Sequence, residues 1–562
     1  MLHHITTRQK VIVMLAVMSG LFLVALDQTI IATALGAITE EFNSFSSLGF
    51  VVTAYLLTST VTVPLAGKLS DMYGRRPILL TGVAIFTLGS LLSGMAQNID
   101  WLIASRALQG IGGGMITANA FTIVGDLFSP RERGRWQGLI GAVFGISSVI
   151  GPLLGGWLTD GHSFLGLTTD WRWTFLINVP IGIVAAAIIA RFTPDIKHDA
   201  KHKPDYLGAV FITLALSAMI LAVDNTEIIF ASLIDSGISL AAIRAVLWSV
   251  VGITTVGFIA TERRAKQPIL SLSYFKKRTF SLIAIIALLF GAAFLGAILY
   301  LTQFNQQVFG ANATNAGLML LPLMAGMMLT SISTGQIIAR VGRYKPFILV
   351  GFAIATVSIA SLTILTPESP YLTEAIIMFF TGVGLGMAMP ILTLAVQNEF
   401  EQKDLGAATS SVQLFRGLGS TVGTAVLSGV LTTGIITSIG TPSDIPYIQT
   451  LKQAPESSTL LEGEIDANTL LQINSQSATI AEKAKVGIAA SPLPPQAQEI
   501  AITQFEDQQN NFRNDLVNAF TYALHHIFII SASLMSIAFL LAIALPNREL
   551  KDRHTENAPG VA

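Results

Sequence analysis

Apolar runs of about twenty residues recur along most of the 562-residue chain, separated by short stretches that hold its Arg, Lys and many of its Gly residues. Each run is long enough to cross ~30 Å of hydrocarbon as a helix. The pattern predicts fourteen helices, near 11–35, 48–67, 78–96, 101–125, 136–158, 173–191, 206–223, 241–260, 280–301, 316–338, 347–365, 373–396, 406–432 and 523–545. Membrane strands would alternate in runs of about ten residues, and these runs do not. The first run is too long for a signal-peptide core, carries Asp27, and has thirteen spans after it, so it reads as an uncleaved helix. The expectation is an all-α polytopic membrane protein.

Composition sharpens what this excludes. Charged residues make up 12% of the chain, about half the share usual in soluble domains, and mean hydropathy is +0.64. A soluble enzyme, a disordered chain and a nucleic-acid binder are all ruled out, the last also because a net charge of −1 offers no basic field. The absence of cysteine excludes disulfides and thiolate metal sites. None of the eight histidines lies deep inside an apolar run, so neither a metal nor another cofactor is expected. No GxxxxGK[ST] phosphate loop is present, which leaves an ion gradient rather than ATP as the energy source.

Of the 33 Lys and Arg residues, 25 fall in one set of alternate loops. By the positive-inside rule those loops and both termini are cytoplasmic, in a multi-pass cell-membrane protein. The polar segment 433–522 joins the last two spans on the outer side. Within it, residues 496–521 place Ile500, Phe505, Phe512, Leu516 and Phe520 among charges, the pattern of an amphipathic outer helix. A cap and a gate over a substrate path both fit it.

The chain also resembles itself. Gly110-Ile-Gly112-Gly-Gly114-Met115 recurs as Gly382-Val-Gly384-Leu-Gly386-Met387, an offset of 272 residues that also takes Gly134 to Gly406 and Gly151 to Gly423. Gly67-x6-Gly74-Arg75 recurs as Gly335-x6-Gly342-Arg343, at an offset of 268. Copies in the same orientation require an even number of spans between them. The expected organisation is therefore a six-helix bundle in 1–191, two extra helices and linkers in 192–278, and a second six-helix bundle in 279–562 that includes 433–522. Parallel repeats with a site at their midplane interface are common in secondary transporters.

The stretch Gly67-Lys68-Leu69-Ser70-Asp71-Met72-Tyr73-Gly74-Arg75-Arg76-Pro77 links spans two and three. Its glycines allow a tight turn and close helix approach. Asp71 can accept from a helix N-terminus, and Arg75 and Arg76 can pair with carboxylates or lipid headgroups. This loop resembles the signature of the major facilitator superfamily, in which it acts as a cytoplasmic latch. The second copy has Ala339 where Asp71 stands, so the latch acid occurs once. Leu26-Asp27-Gln28-Thr29 through Leu35 and Leu102-x3-Arg106-x2-Gln109-Gly110-x-Gly112 resemble motifs of the fourteen-helix drug:proton antiporters. Gly151-Pro152-x2-Gly155-Gly156 is similar to their fifth-span antiporter motif, although Ser147 stands where a glycine is usual. Trp171-Arg172-Trp173 through Pro180 is similar to their segment entering span six. The resemblance covers nearly the whole chain except the outer segment, and implies the major facilitator fold with 6 + 2 + 6 helices.

Ionisable groups within spans are candidates for function, because burying charge in a membrane is expensive. Asp27 and Arg106 lie at similar depths, about 12 Å and 9 Å from the outer ends of their helices at 1.5 Å per residue. Desolvation raises a carboxylate's affinity for a proton and a neighbouring guanidinium lowers it, so such a pair can couple proton movement to a conformational change. The resemblance implies that role; a static ion pair fixing helix packing fits the residues as well. Arg416, near the middle of span thirteen, can line a cavity or bond backbone carbonyls. Gln303 and its neighbours Asn305, Gln306 and Gln307 fit a vestibule or a plain interface. Asp224 and Glu227 read as solvated charges at an outer helix end. Gly151, Pro152, Gly155 and Gly156 fit either a hinge that limits proton leak or close packing.

These readings point to a proton-coupled exporter, not an enzyme. Its expected partners are small amphipathic, preferentially cationic, compounds, protons and membrane lipid, without ATP or nucleic acid; the chain is expected to act as a monomer, and an accessory adaptor is left open. A lipid or siderophore-like exporter on the same fold is the nearest alternative, and a non-transporting sensor or membrane-embedded enzyme the alternative of another class.

Overall fold

The computed structural model describes residues 6–42, 48–159, 161, 163–164, 167–193, 205–223, 226–311, 313–452, 465, 467–491 and 494–550. Fourteen helices among the described residues are long and apolar enough to cross a membrane. They are α1 (Thr7–Phe42), α2 (Leu48–Tyr73), α3 (Arg75–Gly94), α4 (Ile99–Leu127), α5 (Pro130–Thr159), α6 (Trp173–Phe192) and α7 (Tyr206–Val223). The rest are α8 (Leu240–Glu262), α9 (Arg278–Gln307), α10 (Leu321–Val341), α11 (Lys345–Ser361), α12 (Tyr371–Gln397), α13 (Leu405–Ile439) and α14 (Pro495–Ile543). The one sheet among the described residues is a two-stranded hairpin, Ser163–Phe164 against Leu167–Thr168.

Two expected spans are interrupted, each for a local reason. α6 breaks between Leu176 and Asn178, because Pro180 cannot donate to the carbonyl four residues before it. The tenth span begins as a separate turn of helix, Ala313–Met319, and restarts at Leu321. Pro322 makes the same demand there, and its ring excludes the Leu318 carbonyl.

Residues 496–521 form no separate amphipathic helix. They are the first half of α14, which at 49 residues and 1.5 Å per residue is about 74 Å long, over twice the hydrocarbon thickness. Phe505 and Phe512 are buried against Tyr447, with ring centroids 5.5 and 5.2 Å from it, whereas Ile500 is exposed. Short helices Pro446–Lys452, Ala467–Ser475 and Ser477–Ala489 pack around this extension. Gln509 donates to the Tyr447 hydroxyl at 2.7 Å and to the Ser477 carbonyl at 2.9 Å. Asn474 donates to Gln307 at 3.1 Å, which ties the outer segment to the end of α9.

The internal repeat is visible as repeated packing. A methyl group on Gly112 would meet the Gly82 carbonyl oxygen at 2.6 Å, and one on Gly384 would meet the Gly351 carbonyl oxygen at 2.7 Å. Thus α4 lies on α3 as α12 lies on α11, through Gly112 and Gly384, which stand at the 272-residue offset found in the sequence. Gly110 faces the Tyr55 carbonyl of α2, and Gly382 faces the Leu323 carbonyl of α10. The same symmetry relates two contacts between the halves. Gly67 of α2 lies against Gly406 of α13, and Gly134 of α5 lies against Gly335 of α10. Glycine is needed at these points because the backbones leave no room for a Cβ.

Candidate functional site

Asp27 lies at the centre of a knot of side chains from four helices. Arg106 Nη1 of α4 is 2.6 Å from Asp27 Oδ2. The Gln109 amide of α4 donates to Asp27 Oδ1 at 2.7 Å, and the Asn178 amide of α6 donates to the same oxygen at 3.2 Å. Ser90 of α3 accepts from both amides, at 2.6 and 3.3 Å. Arg106 and Gln109 are three residues apart and so share a helix face; Arg106 Nη1 also donates to Gln109 Oε1 at 2.6 Å. The guanidinium stacks 4.4 Å from the Tyr55 ring centroid and 5.6 Å from that of Phe175. Asp27, Ser90, Gln109 and Asn178 are fully buried and Arg106 is 1% exposed, so the pair is closed to solvent in this state.

Sequence reasoning brought Asp27 and Arg106 together by depth but missed Ser90, Gln109 and Asn178 as members of their site. Gln109 and Asn178 stand within the motifs quoted above, and amides inside apolar runs signal a buried acceptor. Ser90 carries no such signal, because a helical serine can bond its own backbone.

A second cluster closes the face that bears the basic loops. Asp71 Oδ1 accepts from the Gly406 amide at 3.1 Å and Oδ2 from the Ala407 amide at 2.8 Å. These are the second and third residues of α13, whose preceding Asp404 makes no side-chain cap. Asp71 also pairs with Arg75 at 2.5 Å, and Arg75 with Asp126 at 2.6 Å. Arg75 is therefore wholly buried among protein groups rather than set against lipid. Arg76 donates to the Ala190 carbonyl at the end of α6. Gly74, at φ 103°, supplies the left-handed backbone between α2 and α3.

Arg133, which reads in the sequence as a loop cation, is buried in this seam. It donates to the Gly125 carbonyl at 2.7 Å, the Phe128 carbonyl at 3.0 Å and the Gln397 carbonyl at 3.0 Å. Gly125 and Gln397 are repeat equivalents at the ends of α4 and α12, so one cation caps both helix C-termini.

The Gly151 motif packs α5 on α1. A Cβ on Gly151 would meet Thr29 and the Ile30 nitrogen, the latter at 3.1 Å, and one on Gly155 would meet the Ile30 carbonyl oxygen at 2.8 Å. Gly156 faces Thr314, and Pro152 lies against Gly317, so the motif also touches the segment before α10. The Ser147 carbonyl accepts from Thr29 at 3.0 Å. The serine's own hydroxyl is buried without a partner among the described residues.

Arg416 is half-buried on α13 and makes no hydrogen bond or ion pair among the described residues, so it is not a carbonyl-bonded packing element. Its guanidinium stacks on Phe121 of α4 and Phe144 of α5, at 5.6 and 5.9 Å. Gln303 is half-buried, and its neighbour Asn305 donates to both carboxylate oxygens of the buried Glu374 at 2.9 and 3.0 Å. Glu227 is exposed and lies 3.7 Å from Arg244; Asp224 falls outside the described residues. A cavity of about 540 Å³ between Ile439, Phe512 and Tyr522 and a groove of about 420 Å³ along Ile354, Val357 and Phe380 touch neither Asp27 nor Arg416.

Comparison with known proteins fits this arrangement. The sequence model of the Major Facilitator Superfamily matches residues 17–424. The chain is 36% identical to the multidrug transporter protein MdtP of Bacillus subtilis (strain 168) over 456 residues, 80% of each chain. It is 33% identical to multidrug resistance protein 3 of the same strain, over 81% of this chain and 89% of that one. Among solved structures, the proton:xylose symporter XylE shares the fold with a TM-score of 0.57 at 13% identity, over 97% of this chain and 98% of that one. With fourteen spans, a repeated helix packing and matches along most of its length, the chain belongs to the major facilitator superfamily, as a multi-pass membrane transporter and not an enzyme.

Proposed function

We propose that the chain is a proton-coupled antiporter that exports amphipathic drugs or toxic compounds by alternating access. In this reading the bundles 1–191 and 279–562 rock about a shared pocket, 192–278 adds two helices at their flank, and the basic face is cytoplasmic. The multidrug relatives support drugs as cargo. The observation that carries the reading is the Asp27–Arg106 pair, wholly buried and divided between α1 and α4.

A proton and the guanidinium compete for the same carboxylate oxygens, and either charged group left alone inside a membrane is costly. A movement that parts α1 from α4 exchanges Arg106 for H⁺ at Asp27, and the return movement expels it. The closed knot is the paired state; in alternating access Asp27 opens to the outer side in one conformation and, once the seam around Asp71 separates, to the basic face in the other. A cation meets Asp27 only after Arg106 has left it, so cargo and proton take turns at this site.

The test uses the full chain in proteoliposomes under an imposed pH gradient, with rhodamine 123 and 6-carboxyfluorescein as cargo, with and without an uncoupler. The wild type moves at least one dye, the uncoupler stops it, and D27N loses the dependence on the gradient. Uncoupler-insensitive movement would reject antiport, and unchanged coupling in D27N would remove Asp27 from the mechanism.

A further inference from the structure

Among the described residues, most charges buried in the spans have an ionic or hydrogen-bonding partner, as Lys68 has in Gln267 and Glu262 in the Ile269 amide, and the one at mid-span that has neither is informative. Asp27 is matched by Arg106. Asp71 and Asp126 share Arg75. Arg133 is held by three carbonyls at helix ends. Glu374 is held by the Asn305 amide. Arg416 has only ring faces as neighbours, Phe121 and Phe144, and no carboxylate within ion-pair distance among the described residues; Lys10 lies over the Phe128 ring in the same way, but in the first turn of α1 rather than in mid-span.

The helices packed against α13 offer it no acid. Within the spans, α2 contributes Asp71 and α4 contributes Asp126, both engaged by Arg75. The other acid of α4, Asp100, lies in its first turn, 21 residues or about 31 Å along the helix from Phe121. α12 contributes Glu374, engaged by Asn305; α9 and α7 have no acidic residue. The acids of α14 lie in its outer extension.

Its position is equally specific. Arg416 belongs to α13 in the second half, whereas both rings belong to the first half. It lies nine residues, or about 13 Å along the helix, from the Asp71-capped start of α13, on the side away from the closed seam. Phe144 is half-buried as Arg416 is. A half-buried cation between two halves, desolvated enough to stack on aromatic faces and free of a counter-ion, is a receptor for a negative group.

We propose that the shared pocket takes an amphipathic organic anion, whose carboxylate or sulfonate pairs with Arg416 while its flat apolar body lies against Phe121 and Phe144. This deepens the exporter reading above and rests on it. The planar fork of Arg matches a carboxylate with two parallel hydrogen bonds, and the two rings flank that fork. Closing the halves on cargo neutralises the Arg416 charge that lies between them, so an anion favours the closed state as a neutral molecule does not.

The experiment compares two dyes on one xanthene skeleton, anionic 6-carboxyfluorescein and cationic rhodamine 123, in the same proteoliposomes. Wild type, R416Q and R416K are assayed, with thermal unfolding of each purified variant as the measure of folding. The wild type transports 6-carboxyfluorescein. R416Q slows it about tenfold or more, the loss of a charged hydrogen bond, and leaves rhodamine 123 unchanged or faster. R416K, which keeps the charge but lacks the fork, loses part of the 6-carboxyfluorescein rate only, and reports on the site even if R416Q fails to fold. Wild-type transport of rhodamine 123 alone would overturn the proposal and leave the exporter reading standing. Equal loss of both dyes in R416K with a lowered melting temperature would make Arg416 structural and overturn it. Movement of neither dye by the wild type would overturn the exporter reading and this proposal together.

Discussion

The Asp71 carboxylate and the Ala407 amide, 336 positions apart in the chain, meet at 2.8 Å, so a side chain of α2 serves as the N-terminal cap of α13. The repeat makes the asymmetry of this contact clear. At the equivalent seam, Ala339 of α10 stands where Asp71 would, and the start of α5 caps itself: Glu132 accepts from the Ser129 amide at 3.1 Å and from its hydroxyl at 3.0 Å. One helix start carries its own cap, whereas the other borrows its cap from across the seam and loses it whenever the halves part.

D71A therefore shifts the balance towards the state open on the basic face. A lost cap costs about 0.5–2 kcal/mol, and 1.4 kcal/mol is a tenfold change in an equilibrium. The chain has no cysteine, so T409C introduces a lone thiol at a position that is 0% exposed beneath the cap. Maleimide labelling of T409C should run about tenfold faster in D71A, with D71N, which keeps one acceptor oxygen, between it and the wild type. Equal labelling in all three would mean that the contact does not hold the seam.

The buried Asp27–Arg106 pair predicts strong non-additivity. Removing Arg106 alone leaves the buried Asp27 carboxyl without its ion-pair partner, a loss of about 3–5 kcal/mol for breaking a buried pair. The double variant D27N/R106Q buries two neutral amides beside Gln109 and Asn178 and should be far closer to wild type. Denaturation of the four proteins in one double-mutant cycle measures the difference. Additive losses would place Arg106 in packing with no dependence on Asp27.

Much of this was legible in the sequence because hydrocarbon length is a one-dimensional constraint. A run of twenty apolar residues declares a span wherever it occurs, and glycine spacing declares close packing, as Gly112 and Gly384 both do. What was not legible depends on which helices meet. Arg133 looks like any loop cation until the start of α5 is set against the end of α12. Ser90 becomes a partner of Gln109 only because α3 crosses α4 at that level. Residues 496–521 have an amphipathic period, but nothing local shows that the helix continues unbroken into the membrane.

The repeat also predicts paired mutational effects. G112A forces a methyl group into the Phe86 backbone, with Phe86 Cα at 2.7 Å, and G384A does the same to Ala355, with its Cα at 2.8 Å. Neither neighbour is a flexible side chain, so both should destabilise by about 1–3 kcal/mol, the usual cost of overpacking, and to a similar extent. Gly252 of α8 has nothing within 4 Å of an added Cβ, and G252A should be neutral or slightly stabilising through helix propensity. Thermal unfolding of the purified variants checks all three.

The last prediction concerns pH at the face opposite the basic loops. Glu41, near the end of α1, accepts from Arg172 Nη2 at 2.6 Å, Arg172 Nη1 at 2.9 Å and the Trp171 indole at 2.6 Å. The Arg172 hydrogen bonds, helped by Trp171, hold the Glu41 carboxyl below its ordinary range despite some desolvation. A carboxyl whose pKa is lowered by folding contributes stability that is complete above its unfolded value, about 4.3. That stability fades as pH falls through the lower folded value. With Glu41 42% and Arg172 26% exposed, screening limits it to about 0–1 kcal/mol. The melting temperature of the wild type should exceed that of E41Q near pH 7, and the two should converge between about pH 5 and pH 3. Salt at about 1 M, where the screening length is ~3 Å, should narrow the gap at pH 7. Parallel pH profiles for the two proteins would show that the clasp between α1 and α6 adds nothing to stability.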